Sequence, residues 1–136
     1  MKYRLLLAQC AVLIIVAATI ASCEKPEGEG GTATINGSVW VRDYNSTFTQ
    51  LTGEYAAADE DVYIVYGDHV GYDDKTSTDY NGRFSFRYLR PGDYTVYVYS
   101  KDSTLTSVSG EIAVIQQFQV TQREQVVELP QFIIFN

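Results

Sequence analysis

Short alternating runs bounded by turn residues, the lack of any stretch with a 3.6-residue apolar period, and runs rich in tyrosine, valine and phenylalanine predict an all-β fold. The expected strands are Ala33–Arg42, Asp61–Tyr66, Lys75–Thr78, Arg83–Tyr88, Asp93–Ser100, Glu111–Val120 and Gln125–Phe135. The last should bend or break at Pro130, which has no amide proton to give a ladder. Seven strands at this spacing suit a two-layer sandwich of about seven strands over residues 33–136.

Each run has a readable inner face. Alternation puts Val62 and Ile64 inward with Tyr63 and Val65 outward, and Phe84 and Phe86 inward with Arg83, Ser85 and Arg87 outward. In the next run Tyr94, Val96 and Val98 face the core, leaving Tyr97 and Tyr99 outside. Val39 and Leu89 complete the expected core. Asn81-Gly82 should supply the positive-φ positions of a tight reversal over Asp79–Arg83, and Pro91-Gly92 the following turn.

The stretches Thr78-Asp79-Tyr80-Asn81-Gly82-Arg83-Phe84 and Leu89-Arg90-Pro91-Gly92-Asp93-Tyr94-Thr95-Val96 occur in this order, after an opening Gly37-Ser38-Val39. This set resembles the carboxypeptidase regulatory-like family over roughly residues 33–100. The resemblance implies a transthyretin-like, Ig-like sandwich and no particular ligand. Transthyretin-like folds also include a urate-pathway hydrolase that works with several histidines; this chain has one.

The amino terminus has a different character. Lys2 and Arg4 precede an apolar run from Ala11 to Ala18, followed by small residues, which is the anatomy of a secretion signal. Gln9 interrupts the run and Ser22 and Glu24 close it, so it falls short of the roughly 20 apolar residues a spanning helix needs. Ile20-Ala21-Ser22-Cys23 resembles the lipobox of bacterial lipoproteins. That resemblance implies a signal peptide at 1–22 and Cys23 as the lipid-carrying first residue of the mature chain. It also implies a partner in the membrane and a place on the cell envelope, at the outer membrane of a Gram-negative bacterium.

Residues 23–32 follow as an expected flexible tether, with Gly, Pro and the acids Glu24, Glu27 and Glu29. Ten such residues would hold the domain up to a few tens of ångströms, roughly, from the bilayer. The acids are similar, loosely, to the export tag of surface lipoproteins of the Bacteroidetes, or they are a solvated linker. Cys10 lies in the discarded signal, so the mature chain has no disulfide and depends on its apolar core. Loss of Lys2 and Arg4 leaves eight basic against 17 acidic residues, a net charge of −9, which argues against nucleic acid as a partner.

Catalytic material is sparse. With His69 the single histidine and no cysteine left after Cys23, neither a zinc site of nitrogen and sulfur ligands nor a nucleophile–base pair can be assembled readily. No enzyme activity and no cofactor are expected. Asp73, Asp74 and Asp79 are weak candidates for calcium, in a spacing unlike an EF-hand, with solvated turns as the alternative. Asp102-Ser103-Thr104 resembles the O-glycosylation acceptor of exported Bacteroidetes proteins, with Ser103 as the acceptor.

Tyrosine is the unusual residue, 11 in all, and alternation sends Tyr63, Tyr97 and Tyr99 to one outer face. There they would form a docking patch, or simply reflect the β-propensity of tyrosine. The expected function is a non-enzymatic, lipid-anchored interaction or spacer module. Its alternative is a carbohydrate- or peptide-binding lipoprotein of an outer-membrane nutrient-uptake system, with an envelope protein or glycan as partner.

Overall fold

A single long strand, β1 (Glu29–Tyr44), organises the computed structural model, which describes residues 25–136. The segment 1–22, expected to be a signal peptide, and Cys23, expected to carry lipid, lie outside the described residues. After β1 come β2 (Leu51–Ala56), β3 (Asp61–Tyr66), β4 (Asp74–Ser77), β5 (Arg83–Leu89), β6 (Gly92–Lys101), β7 (Glu111–Val120), β8 (Val126–Glu128) and β9 (Phe132–Phe135).

Two sheets face each other. One is antiparallel in the order β4-β3-β6-β7, and in the other β1 pairs with β2, β5, β8 and β9. The Val39 amide donates to the Gly82 carbonyl while the Val39 carbonyl accepts from Ala57. One residue's N–H and C=O point the same way along a strand, so β5 and β2 lie end to end on one edge of β1. Strands β8 and β9 run parallel to β1. Pro130 falls in the gap between them, where the expected break occurs.

The core lies between the sheets. Val39, Val62, Ile64, Phe84, Phe86, Leu89, Tyr94, Val96 and Val98 are all buried, as the sequence leads one to expect, and Ile35, Val120, Phe132 and Ile134 join them. Full burial of a side chain of this size contributes about 1.5–3 kcal/mol, so this cluster carries the domain without a crosslink. Gly37 sits opposite Phe84 in the β1–β5 ladder, and a Cβ there would strike the Phe84 ring. The glycine of Gly37-Ser38-Val39 is thus the floor on which a core ring lies.

The turn at Asp79–Arg83 forms differently from expectation. Gly82 alone has a positive φ, 71°, and the Asp79 carboxylate supplies the rest by accepting from the amides of Asn81 (2.8 Å) and Arg83 (2.9 Å). Past Phe86 the alternation breaks at Tyr88, whose φ of 62° turns its ring to solvent and lets Leu89 enter the core.

Two boundaries differ from the sequence reading. Strand β2 was not expected; it is a half-exposed edge strand held by its ladder to β1 and by the Arg42–Glu54 ion pair at 2.7 Å. The folded body also begins earlier than residue 33. Arg90 Nη1 donates to the Pro26 carbonyl at 3.1 Å, Gly28 is buried, and β1 starts at Glu29. The tether expected over 23–32 therefore belongs to the folded domain from Pro26 onward. Glycine makes this possible: a Cβ at Gly31 would collide with the Leu89 carbonyl.

Candidate functional site

The outer face of the β4-β3-β6-β7 sheet carries a straight transverse row. Lys75 pairs with Tyr63, Tyr63 with Tyr97, and Tyr97 with Ile115, one residue from each strand. The Tyr63 and Tyr97 rings stack at 5.1 Å and 13°, and Tyr99 meets both edge-on, 5.7 Å from Tyr63 and 5.6 Å from Tyr97. Alternation brought these three tyrosines to one face, and neighbouring β3 and β6 bring them into contact.

A fourth ring was missed by sequence reasoning. Tyr72, in the loop between β3 and β4, packs 5.1 Å from Tyr63. A loop residue has no strand parity to betray it; only the short reach of the hairpin from Tyr66 to Asp74 hints at it. Tyr63 is the hub, in contact with the other three rings. Exposure follows this hierarchy: Tyr63 and Tyr97 are half-buried, whereas Tyr72 (55%), Tyr99 (43%) and Ile115 (57%) stand open to solvent.

The loop holding Tyr72 is braced at both ends. Asp73 accepts from the Tyr66 amide at 2.7 Å through one carboxylate oxygen and contacts His69 Nδ1 at 2.7 Å through the other. That hydrogen bond and the Asp73 charge raise the His69 pKa above its ordinary value. At the opposite rim Asp61 binds Lys75 Nζ at 2.8 Å, which holds the Asp61 carboxyl below its usual range. Burial raises the phenol pKa of Tyr63 and of Tyr97. Both remain neutral hydroxyls, able to donate and accept hydrogen bonds, through the physiological range.

The acidic residues considered for calcium each have local work. Asp73 braces its loop, Asp74 accepts from the Lys75 amide at 2.8 Å, and Asp79 caps its turn. Among the described residues no three His, Cys, Asp or Glu side chains group as a metal site of such ligands would require. Ser103 is half-buried beside Asp102, and Asp102 is a loop organiser. Its carboxylate accepts from the amides of Thr104 (2.8 Å), Thr106 (2.8 Å) and Ser107 (2.6 Å) and from the Thr104 hydroxyl (2.6 Å). These bonds, the Thr104 hydroxyl foremost, drive its pKa far below the usual carboxylate range.

An open polar groove of about 830 Å³ lies elsewhere, lined by Asn36, Ser38, Thr76, Arg83, Ser85 and Glu128 among others. Ser85 Oγ is buried there without a hydrogen-bond partner; the carboxylates of the lining are Asp79, which caps its turn, and Glu128, which accepts from Asn36 Nδ2 at 2.6 Å.

The stretch from residue 59 to residue 116 matches the family model of the Y_Y_Y domain, under half of the 136 residues. All four tyrosines of the cluster lie within it. No curated protein matches the chain. Among solved structures, a candidate carbohydrate binding protein from Pseudomonas aeruginosa is similar at 14% identity and a TM-score of 0.45, over 80% of this chain and 91% of that one. (S)-allantoin synthase is similar at 10% identity and a TM-score of 0.41, over 77% of this chain and 42% of that one. The carboxypeptidase regulatory-like resemblance rests on the motifs at Gly37–Val39, Thr78–Phe84 and Leu89–Val96.

Proposed function

We propose that the mature protein is a non-catalytic envelope module, anchored by lipid at Cys23, that recognises carbohydrate through the cluster of Tyr63, Tyr72, Tyr97 and Tyr99. The observation that carries this reading is the contiguity of the four rings on one sheet face. A spacer has no need of open rings buttressed by half-buried ones. Rigid side chains with an apolar body and a polar tip suit a ligand that alternates C–H and O–H groups.

A glycan fits this face better than a folded protein does. A stable protein interface buries roughly 800 Å² per partner, with an apolar centre. Here the open apolar groups are Tyr72, Tyr99, Ile115 and the small Ala113 opposite Tyr99, ringed by Asp61, Lys75 and Gln117. That is a platform for two or three sugar units.

A glycan array separates these readings. The wild-type protein should bind an oligosaccharide subset that the Tyr72→Ser/Tyr99→Ser variant loses by tenfold or more, with unchanged folding. Binding that is indifferent to both rings, or no binding to any glycan, would overturn the proposal.

A further inference from the structure

Given the lipid anchor at Cys23 proposed above, we infer that the end of the sandwich bearing the loops Gly67–Asp73, Leu89–Gly92 and Thr121–Gln125 rests on the lipid surface, with Val70 and Tyr88 entering its interface. The place where the folded body begins carries the inference. Pro26 is bound through its carbonyl to Arg90, and the Gly28 carbonyl accepts from the Arg90 amide at 2.9 Å. The Glu27 side chain lies over Gly67 and Gly92. Only three residues of reach therefore separate Cys23 from a fixed point, about 10 Å fully extended.

The three loops surround that fixed point. Gly67 donates to the Asp93 carbonyl at 2.8 Å, joining the first two, and the Glu124 amide donates to Thr32 Oγ1 at 3.1 Å, joining the third to the start of β1. From here β1 runs 16 residues to the far end, roughly 50 Å at 3.3 Å per residue. A lipid at Cys23 thus fixes which end faces the bilayer.

The same end presents apolar side chains that nothing in the fold uses. Val70, at the tip of its loop, is fully exposed, and Tyr88 is 69% exposed. Tyr88 also occupies a left-handed conformation (φ 62°) that a non-glycine residue adopts at a cost, and it does so to point its ring outward. A tyrosine at a membrane–water boundary keeps its ring among acyl carbons and its hydroxyl wet. Lys25, Arg90 and Arg123 stand among Glu27, Glu29, Asp68, Asp73, Asp93 and Glu124 at this end, a mixed surface that leans acidic and so suits zwitterionic rather than anionic headgroups. Tyr97 and Tyr99 lie five and seven residues along β6 from Gly92, roughly 16 and 23 Å from this end, and Tyr63 and Tyr72 pack beside them, so the tyrosine cluster stands clear of the headgroups.

The test uses the full lipidated chain in phosphatidylcholine/phosphatidylethanolamine vesicles carrying a doxyl quencher near the headgroup. The Cys23 thiol is consumed by its lipid, so a single cysteine at Val70, Tyr88 or the far-end residue Val108 takes an environment-sensitive dye alone. Dye at 70 and 88 should be quenched and blue-shifted at least threefold more than dye at 108. Insertion of ten Gly/Ser residues after Lys25 should abolish that difference. Equal quenching at the three positions in protein that floats with the vesicles would overturn this inference while leaving the anchor intact. Protein that does not float and lacks a lipid on Cys23 by mass spectrometry would remove the anchor and the inference together.

Discussion

The Tyr94 hydroxyl accepts the amide proton of Gly28 at 3.0 Å, joining two residues 66 apart in the chain, and donates to the Arg90 carbonyl at 2.6 Å. One phenol thus ties the entering chain to the Pro91-Gly92 turn. Tyr94→Phe keeps the buried ring and strips both bonds. It should lower stability by about 1–3 kcal/mol, the cost of leaving a buried amide and carbonyl unsatisfied. Amide exchange should quicken at residues 27–31 first. Unchanged exchange there would show that Arg90 alone holds the segment.

Gly37→Ala places a methyl group against the Phe84 ring. Overpacking of this kind costs about 1–3 kcal/mol. Chemical denaturation of the single variants and of Gly37→Ala/Phe84→Leu checks the contact. The smaller side chain should recover part of the loss caused by the methyl, so the double variant should be less destabilised than the sum of the two.

Much of the fold was legible because its strands are half-buried: Asp61–Tyr66 and Glu111–Val120 begin and end where alternation begins and ends. What escaped was held by backbone rather than by side-chain pattern. Leu51–Ala56 is an edge strand with little apolar burial, and Glu29–Thr32 extends β1 through glycines and backbone bonds. At the site, parity found Tyr63, Tyr97 and Tyr99, yet it treats them as equivalent. Contact shows that Tyr63 and Tyr97 stack on each other and that loop-borne Tyr72 joins them.

That distinction has a measurable consequence. Tyr97→Ser dismantles the cross-strand stack with Tyr63, and aromatic pairs contribute about 0.5–1.5 kcal/mol beyond area burial, so its melting temperature should fall. Tyr99→Ser loses two edge-on contacts but at a ring that is 43% exposed, so its melting temperature should fall less. Thermal melts of the two variants side by side decide this, and equal melting points would show the stack to be energetically idle.

Asp102 gives the loop Ser103–Gly110 an acid sensitivity. Its folded pKa lies below the unfolded value of about 3.9, so its contribution is complete above that value and is lost as the pH falls toward the folded one. Asp102→Asn should melt lower than wild type at pH 7, and the gap should close as the pH drops from about 4 toward 2. Melting curves across that window report it; a constant gap would mean that the carboxylate charge is not what orders the loop.

The proposed recognition face is tested most directly by titrating a glycan from the array's binding subset into isotope-labelled residues 23–136 carrying Cys23→Ser and following the amide resonances. Shifts should concentrate at Tyr63, Tyr72, Tyr97, Tyr99 and Ile115 and saturate together. Shifts centred instead on Asn36, Arg83 and Ser85, at the polar groove, would contradict the account and move the binding site to the other sheet.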